Sequence, residues 1–457
     1  MKIPFVTDAY RGEVPINWFP AADADKGVIA FGTPGLKPWC DLKEVVSGLT
    51  EVRGFGVMGD YLYAVAKSGA ATSKVFKITK NGIATEIGDI NSGPGPVQII
   101  NNGSQLMFGD GTTAYTYTPG TGVFALITDV DFPGAGSITY QDSYGIFHEP
   151  GTRRFWLTAL NDFTSVDALD YASKEGRADN IVTVFSDHRE LWLFGSLSIE
   201  IWQNSGASPF PFERLGGGFM ELGCGAAASI AAVDNSIYWL SNNWQVFRTE
   251  GYQPKLISTR KMEREIAGYF LKSDAFAFTY ADEGHTFYQL TFPSVGITWV
   301  YDAATQAWHK RKSYLDNWRH RANCYAFFAG KHLVGDYLNG IIYELDMETY
   351  TDDGQEIQRV LDSSEIRAEG KRTFIPAIQV EVDAGQGLED GTDPHIMLQW
   401  SKDGGNTWSN EVWASAGKVG EFARRVIFRR LGSAYSWIFR LRVSAAIKWR
   451  LLSVNRL

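Results

Sequence analysis

RELWLFGSLSIEIWQ, residues 189–203, reads as two short β-strands joined by a glycine turn. Leu197, Ile199 and Ile201 fall on one side of the second strand and Ser198, Glu200 and Trp202 on the other, the period of two that a pleated backbone imposes. The same kind of unit recurs as DYLYAVAKSGAATSKVFKI from Asp60, SQLMFGDGTTAYTYT from Ser104 and RRFWLTALNDFTSVDAL from Arg153. Further on come NSIYWLSNNWQVFRT from Asn235, HTFYQLTFPSVGITWVYD from His285 and KHLVGDYLNGIIYELD from Lys331. Successive units begin roughly 36 to 50 residues apart, the spacing of a four-stranded propeller blade. Seven similar units in succession suit radial repetition better than a stack of sandwiches, so the expected fold is an all-β chain with a β-propeller of about seven blades, six being possible.

Working outward, residues 51–350 are expected to form the propeller and 351–373, polar around TYTDDGQEIQ, a connector. Residues 374–457 hold longer, cleanly alternating strands (IPAIQVEVDAG, HIMLQWSKDGGNTWS, ARRVIFRRLG, WIFRLRVS, WRLLSVNRL) and are expected to form a β-sandwich-like domain. Residues 1–50 carry five prolines and little periodicity, and are expected to run extended and pack on that C-terminal domain. Helical periodicity is confined to RKMEREIAGYF from Arg260, where Met262, Ile266 and Phe270 share a face.

Composition narrows the function classes. The chain has 457 residues, a length that gives a soft prior of about three domains, fewer if all-β units run long. It carries 43 Lys and Arg against 52 Asp and Glu, a net charge of −9. That balance argues against gripping nucleic acid over the whole surface and is compatible with a wall along which DNA slides. No apolar run is long enough for a membrane-spanning helix, and MKIPFVTDAYRGEVP lacks the apolar core of a secretory signal. Cys40, Cys224 and Cys324 are scattered, outside any C-x-x-C, and are expected to be reduced and metal-free.

Several motifs invite chemistry and have a plainer structural reading. Gly54, Gly56 and Gly59 spell G-x-G-x-x-G, but a strand follows where a dinucleotide site needs a helix, so they read as a glycine turn entering a blade. RLGGGFMELGCG, Arg214–Gly225, lacks the Lys-Ser/Thr of a phosphate loop and reads as a connection between blades. SKDGGNTW, Ser401–Trp408, fits the Asp-box pattern: Asp403 bonding backbone amides across a tight hairpin, Gly404 and Gly405 permitting the turn, Trp408 packing beneath it. Asp boxes occur in sialidases, which leaves a carbohydrate-binding or sialidase-like propeller as the alternative function. That alternative needs an arginine cluster and a Tyr–Glu pair supplied from distant blades. The seven histidines show no ligand spacing and read as surface or blade-edge residues. No catalytic, cofactor or metal residue is singled out. Two basic stretches stand apart, His309–Arg321 and Ala423–Gly432, the second alternating Arg425, Ile427 and Arg429 with Val426, Phe428 and Arg430. Both read more readily as protein interfaces or solvated faces than as phosphate sites.

Three segments together resemble a known family. They are INWFP (Ile16–Pro20) with TPGL (Thr33–Leu36); RLGGGFMELGC with SIYWLSNNWQVFRTEGYQPKLIS and VYDAATQAWHKR; and, most specific, Leu398–Ser444. In that order the chain is similar to the packaged-DNA stabilisation proteins, or tail nozzles, of short-tailed bacteriophages. The resemblance implies a structural virion protein without catalysis or cofactor, assembled in the host cytoplasm. It implies a homo-hexameric ring below the head-to-tail adaptor, through whose lumen DNA passes without sequence-specific binding. It also implies a dock for a tail fibre, spike or needle. With that expectation, Asn17, Trp18, Phe19 and Pro20 in the extended segment and Arg424, Arg425, Arg429 and Arg430 in the C-terminal strands are the candidate assembly-interface residues. Trp18, Trp408 and Trp413 fit a core role as well as an interface anchor.

Overall fold

Each repeated unit supplies a meander of antiparallel strands, and both faces of every meander are covered by its neighbours. Glu200 and Trp202, on the polar side of the Ile199–Asn204 alternation, are therefore as buried as Ile199 and Ile201. The computed structural model describes residues 3, 5, 14–23, 27–313, 318–367, 370–388 and 391–457. Seven blades surround an axis: Val52–Met58 to Ala84–Asn91 (blade 1), Gln98–Asn101 to Val123–Leu126 (blade 2), Ile138–Gln141 to Asp162–Ser173 (blade 3), Ile181–Asp187 to Phe212–Met220 (blade 4), Ala231–Val233 to Gln253–Leu256 (blade 5), Phe276–Asp282 to Ala307–Arg311 (blade 6), and Ala322–Phe328 to Ile341–Asp346 (blade 7). The first strand of each blade is innermost, and the ring closes where Val52–Met58 lies beside Ala322–Phe328.

Blade 7 receives only three strands from its own unit. The fourth is Gly35–Asp41, paired antiparallel with Ile341–Asp346 so that Leu36 faces Leu345 and Pro38 faces Tyr343. The N-terminal 50 residues thus divide: one strand closes the propeller, while Trp18–Asp23 and Gly27–Gly32 form the first two strands of a sandwich sheet. That sheet continues through Arg450–Arg456 and Thr373–Val382 to Val426–Ala434. The facing sheet runs Arg359–Asp362, Ser436–Val443, His395–Ser401, Val412–Ser415. The stretch expected as a connector is shorter than 351–373, because Thr351–Asp352 already pairs with the closing strand at Leu36 and Arg359–Asp362 is a sandwich strand. Trp437, Phe439, Ile378, Phe428 and Val454 fill the space between the sheets.

Several local expectations are corrected by packing. Gly54 and Gly56 lie within the first strand of blade 1, where a Cβ would fall 2.1 Å from the Val97 carbonyl and 2.5 Å from Ile99 Cγ2. They let blade 2 approach, and only Gly59 (φ 58°) sits in the turn. Arg214–Met220 is the outer strand of blade 4, not a connection. The helix Arg260–Ala267 between blades 5 and 6 buries Met262 and Ile266, but it ends at Gly268, so Phe270 is 80 % exposed rather than on the same face.

Candidate functional site

The motif INWFP sits where propeller meets sandwich. Ile16 bridges the blade 6 edge at Lys310 and the sandwich strand at Val360. Asn17 follows with φ 57°, a left-handed conformation that asparagine tolerates better than most residues. Its amide donates to the carbonyls of Lys312 (3.0 Å) and Gln358 (2.7 Å), and its side-chain oxygen accepts from Lys312 N (3.0 Å). One buried amide therefore ties the end of blade 6 to the start of the sandwich. The strand that follows alternates between two cores. Trp18 enters the sandwich interior. Phe19 enters blades 6 and 7, edge-on to Phe287 (5.4 Å) and His285 (5.1 Å) and stacked near Phe31 (5.9 Å). Pro20 is buried too. Asn17, Trp18, Phe19 and Pro20 are thus buried within the chain, where they join its two parts.

The basic stretch 309–321 is largely internal, with Trp318 exposed and residues 314–317 lying outside the described residues. Arg311 donates to the Pro34 carbonyl (2.7 Å), Arg321 pairs with Asp336, and both are buried. Nearby, Arg359 donates to the Thr33 and Ile357 carbonyls (3.3 Å each). Asp352 lies among these guanidinium groups; burial pushes its carboxyl up to about 6 and the arginines oppose the shift. These arginines hold the TPGL turn and the connector, so they are neither a phosphate surface nor an arginine cluster open to substrate. His148, His309 and His320 are buried as well, against the surface reading. Desolvation pushes His309 down to about 3 and His148 to about 4, keeping both neutral.

On the axis the inner strands leave a cavity of about 570 Å³. Its polar wall includes Glu51, Asp110, Ser137, Thr183, Asp274 and Arg319. Glu51 accepts from Asn323 Nδ2 (2.9 Å) and Asp274 from Ser294 N (3.0 Å). Burial raises the Asp110 carboxyl, but donors from the backbone and hydroxyls of Thr113 and Thr112 outweigh it and leave the group below the usual range. Burial pushes Arg319 down to about 10, with its guanidinium 3.8 Å over the Tyr337 ring. These acids are committed to structural hydrogen bonds, which suits a mildly acidic wall. Among the described residues no group of His, Cys, Asp and Glu is placed to hold a metal ion.

The Asp-box hairpin is self-contained. Asp403 accepts from Thr407 N (2.9 Å) and Thr407 Oγ1 (2.6 Å) and is bonded to Ser401 Oγ (2.7 Å). Trp408 is half-buried under the Arg440 guanidinium at 4.0 Å, whereas Trp413 is 60 % exposed and outside the core. Hydrogen bonds from Thr407 and Ser401 hold the Asp403 carboxyl down to about 2. Because the folded value lies below the unfolded one, this contribution to stability is complete above about pH 5 and is lost as pH falls toward 2. Asp403→Ala is expected to remove amide-exchange protection at Thr407 at pH 7 without altering assembly. Unchanged protection there, or lost assembly, contradicts a purely local role.

The second group of candidates is exposed. Arg424, Arg425, Arg429 and Arg430 lie on or just before Val426–Ala434, the edge strand of its sheet. The regular alternation breaks after Phe428. A bulge between Ile375 and Ala377 in the pairing, with Arg430 at φ 64°, sends Arg430 outward and turns Leu431 into the core. Arg425 bonds Gln379 Oε1; Arg424, Arg429 and Arg430 have no ion pair among the described residues. Arg359 carried no motif in the sequence, Asp352 read only as a turn-like carboxylate beside Asp353, and Ile16 only as the first residue of INWFP. Their only local signal was an apolar or charged residue flanking a polar or Pro-rich turn.

Two family models match the chain. One is described as bacteriophage P22 Gp10, beta-propeller, over residues 7–350, and the other as bacteriophage P22 Gp10, beta-sandwich, over residues 358–455. No curated protein matches. Among solved structures, the Neurospora crassa Pan2 WD40 domain is similar at 8 % identity and a TM-score of 0.43, over 69 % of this chain and 94 % of that one. The extracellular domain of the one-component system BT4673 from B. thetaiotaomicron is similar at 10 % identity and a TM-score of 0.45, over 86 % of this chain and 58 % of that one.

Proposed function

The chain belongs to the bacteriophage P22 Gp10 family, structural phage proteins that stabilise packaged DNA, and from that premise we propose that it is a subunit of a short-tail nozzle. Six copies form a ring beneath the head-to-tail adaptor, extend the DNA channel, retain pressurised DNA and carry the fibre, spike or needle. The observation that supports this reading most is the junction at Ile16–Pro20. It ties propeller and sandwich into one unit through a buried amide and through Trp18 and Phe19, one in each core, as the wall of a pressurised channel requires. The charge balance fits as well. A net −9 per subunit, multiplied around a ring, keeps phosphate contacts few, and each fixed phosphate contact adds a barrier to ejection.

DNA retention in particles assembled without this chain tests the proposal. The expected result is heads that fill and then leak, with no tube below the adaptor. Filled, stable heads with complete tails overturn it.

A further inference from the structure

Two exposed patches lie on different parts of the molecule, one on the sandwich and one on the propeller rim. In a seven-blade ring, blade 3 stands across the axis from blades 6 and 7, to which the sandwich is stitched. The sandwich points away from that junction. Trp18–Asp23 and Arg359–Asp362 are the near edges of its two sheets, and Val426–Ala434 and Val412–Ser415 are the far edges, lying side by side.

The far edges are basic and aromatic. Arg424, Arg425, Arg429 and Arg430 are exposed there, along with Trp413 and Phe422, which is 76 % exposed. Arginine with exposed aromatics is the residue mix that anchors protein interfaces. Two edge strands, each paired on one side only among the described residues, are also surfaces that a folded protein normally protects.

The rim of blades 2 and 3 is acidic and aliphatic. The outer strand of blade 3, Asp162–Ser173, is the longest of the outer strands, and its middle stands in solvent with Leu169 81 % exposed. Asp129 accepts from Val166 N (3.1 Å) and from Asp131 N (3.0 Å), which fixes the loop carrying Val130, 94 % exposed, against this strand. Two bare aliphatic side chains are thus framed by Asp129, Asp131, Asp167 and Asp170. None of these carboxylates has an ion pair among the described residues, and Asp170 is raised by burial and by the neighbouring Asp167.

We infer that the arginine–aromatic far edge of the sandwich docks on the aspartate–aliphatic rim of blades 2 and 3 in a second copy of this chain. The two patches match in charge and in apolar content. They are different surfaces of one chain, so the contact is head-to-tail, the type that repeats and forms a ring when the rotation between copies closes. This pairing rests on the ring proposed above and names the surfaces that build it.

Charge reversal tests it in particles grown without the wild-type chain and supplied with purified protein. Arg425→Glu with Arg429→Glu, or Asp167→Lys with Asp170→Lys, is expected to lower ring incorporation and DNA retention at least tenfold, with melting temperature unchanged. Mixing the two variants makes every contact in an alternating ring complementary again, and is expected to recover assembly to within about threefold of wild type. Incorporation of either variant at wild-type level, or failure of the mixture to rescue well-folded variants, overturns the pairing while leaving the ring intact. If the wild-type protein itself forms no ring on the particles, the nozzle reading fails and the pairing with it.

Discussion

A chain lacking residues 1–41 is expected to lose cooperative folding altogether and to aggregate on expression. The segment contributes to both domains at once. Its removal strips Trp18–Asp23 and Gly27–Gly32 from the sandwich sheet and the fourth strand from blade 7. Ile341–Asp346 is then left with a row of unpaired backbone groups, and the core between blades 6 and 7 loses Phe19 and Leu36, both nearly inaccessible in the native state. A milder form of the test is Leu36→Ala, expected to cost about 2–5 kcal/mol as a buried leucine truncation. Against a total stability of roughly 5–15 kcal/mol, that single change is a large fraction and the deletion exceeds the whole. Chemical denaturation and calorimetry read both. A truncated chain that melts in one transition near the wild-type temperature contradicts closure of blade 7 by the N-terminal strand.

Arg321→Gln is the second large effect. The Arg321 guanidinium pairs with the fully buried Asp336, donates to the Tyr343 hydroxyl (3.2 Å) and reaches Asp353 at 3.4 Å. Removing it leaves the Asp336 carboxylate uncompensated in the interior, which typically costs about 3–5 kcal/mol. An exposed arginine in a solvated basic patch loses less than about 0.5 kcal/mol on substitution. The measured value therefore separates an internal cation from a surface one. Arg321→Leu combined with Asp336→Leu is expected to recover most of the loss, since no charge is then buried without a partner. A loss under 1 kcal/mol for Arg321→Gln contradicts the buried pair.

The contrast between the two basic stretches shows what a linear reading misses. Both interleave arginine with aromatics, yet 309–313 and 318–321 are largely internal whereas Arg424, Arg425, Arg429 and Arg430 face solvent. The difference lies in neighbours distant in sequence: Pro34, Asp336 and Asp352 enclose the first group, while the second sits on the exposed edge strand of its sheet. INWFP is similar. Its pattern is short and its prolines suggest an extended segment, but only the approach of Lys312 and Gln358, each about 300 or more residues away, turns Asn17 into a staple. A period of two also cannot tell a strand buried on both faces from one half in water, which is why Glu200 stands inside.

The sequence by itself determined the class of the molecule. The recurrence of hairpins, with glycine turns and aromatic strands, specifies a propeller because each unit is a local meander whose strands find their partners within about twenty residues. The longer alternating strands after residue 373 specify a sandwich through their period of two, although most of their partners lie some 40 to 80 residues away. Tertiary structure alone decided how the chain closes, which arginines are cations of the interior, and which edges remain open. Closure pairs Gly35–Asp41 with Ile341–Asp346 across some three hundred residues, and local periodicity holds no information about a partner so distant. Burial follows the same logic: it depends on what packs against a residue from elsewhere in the chain, and that is set only when the two ends meet.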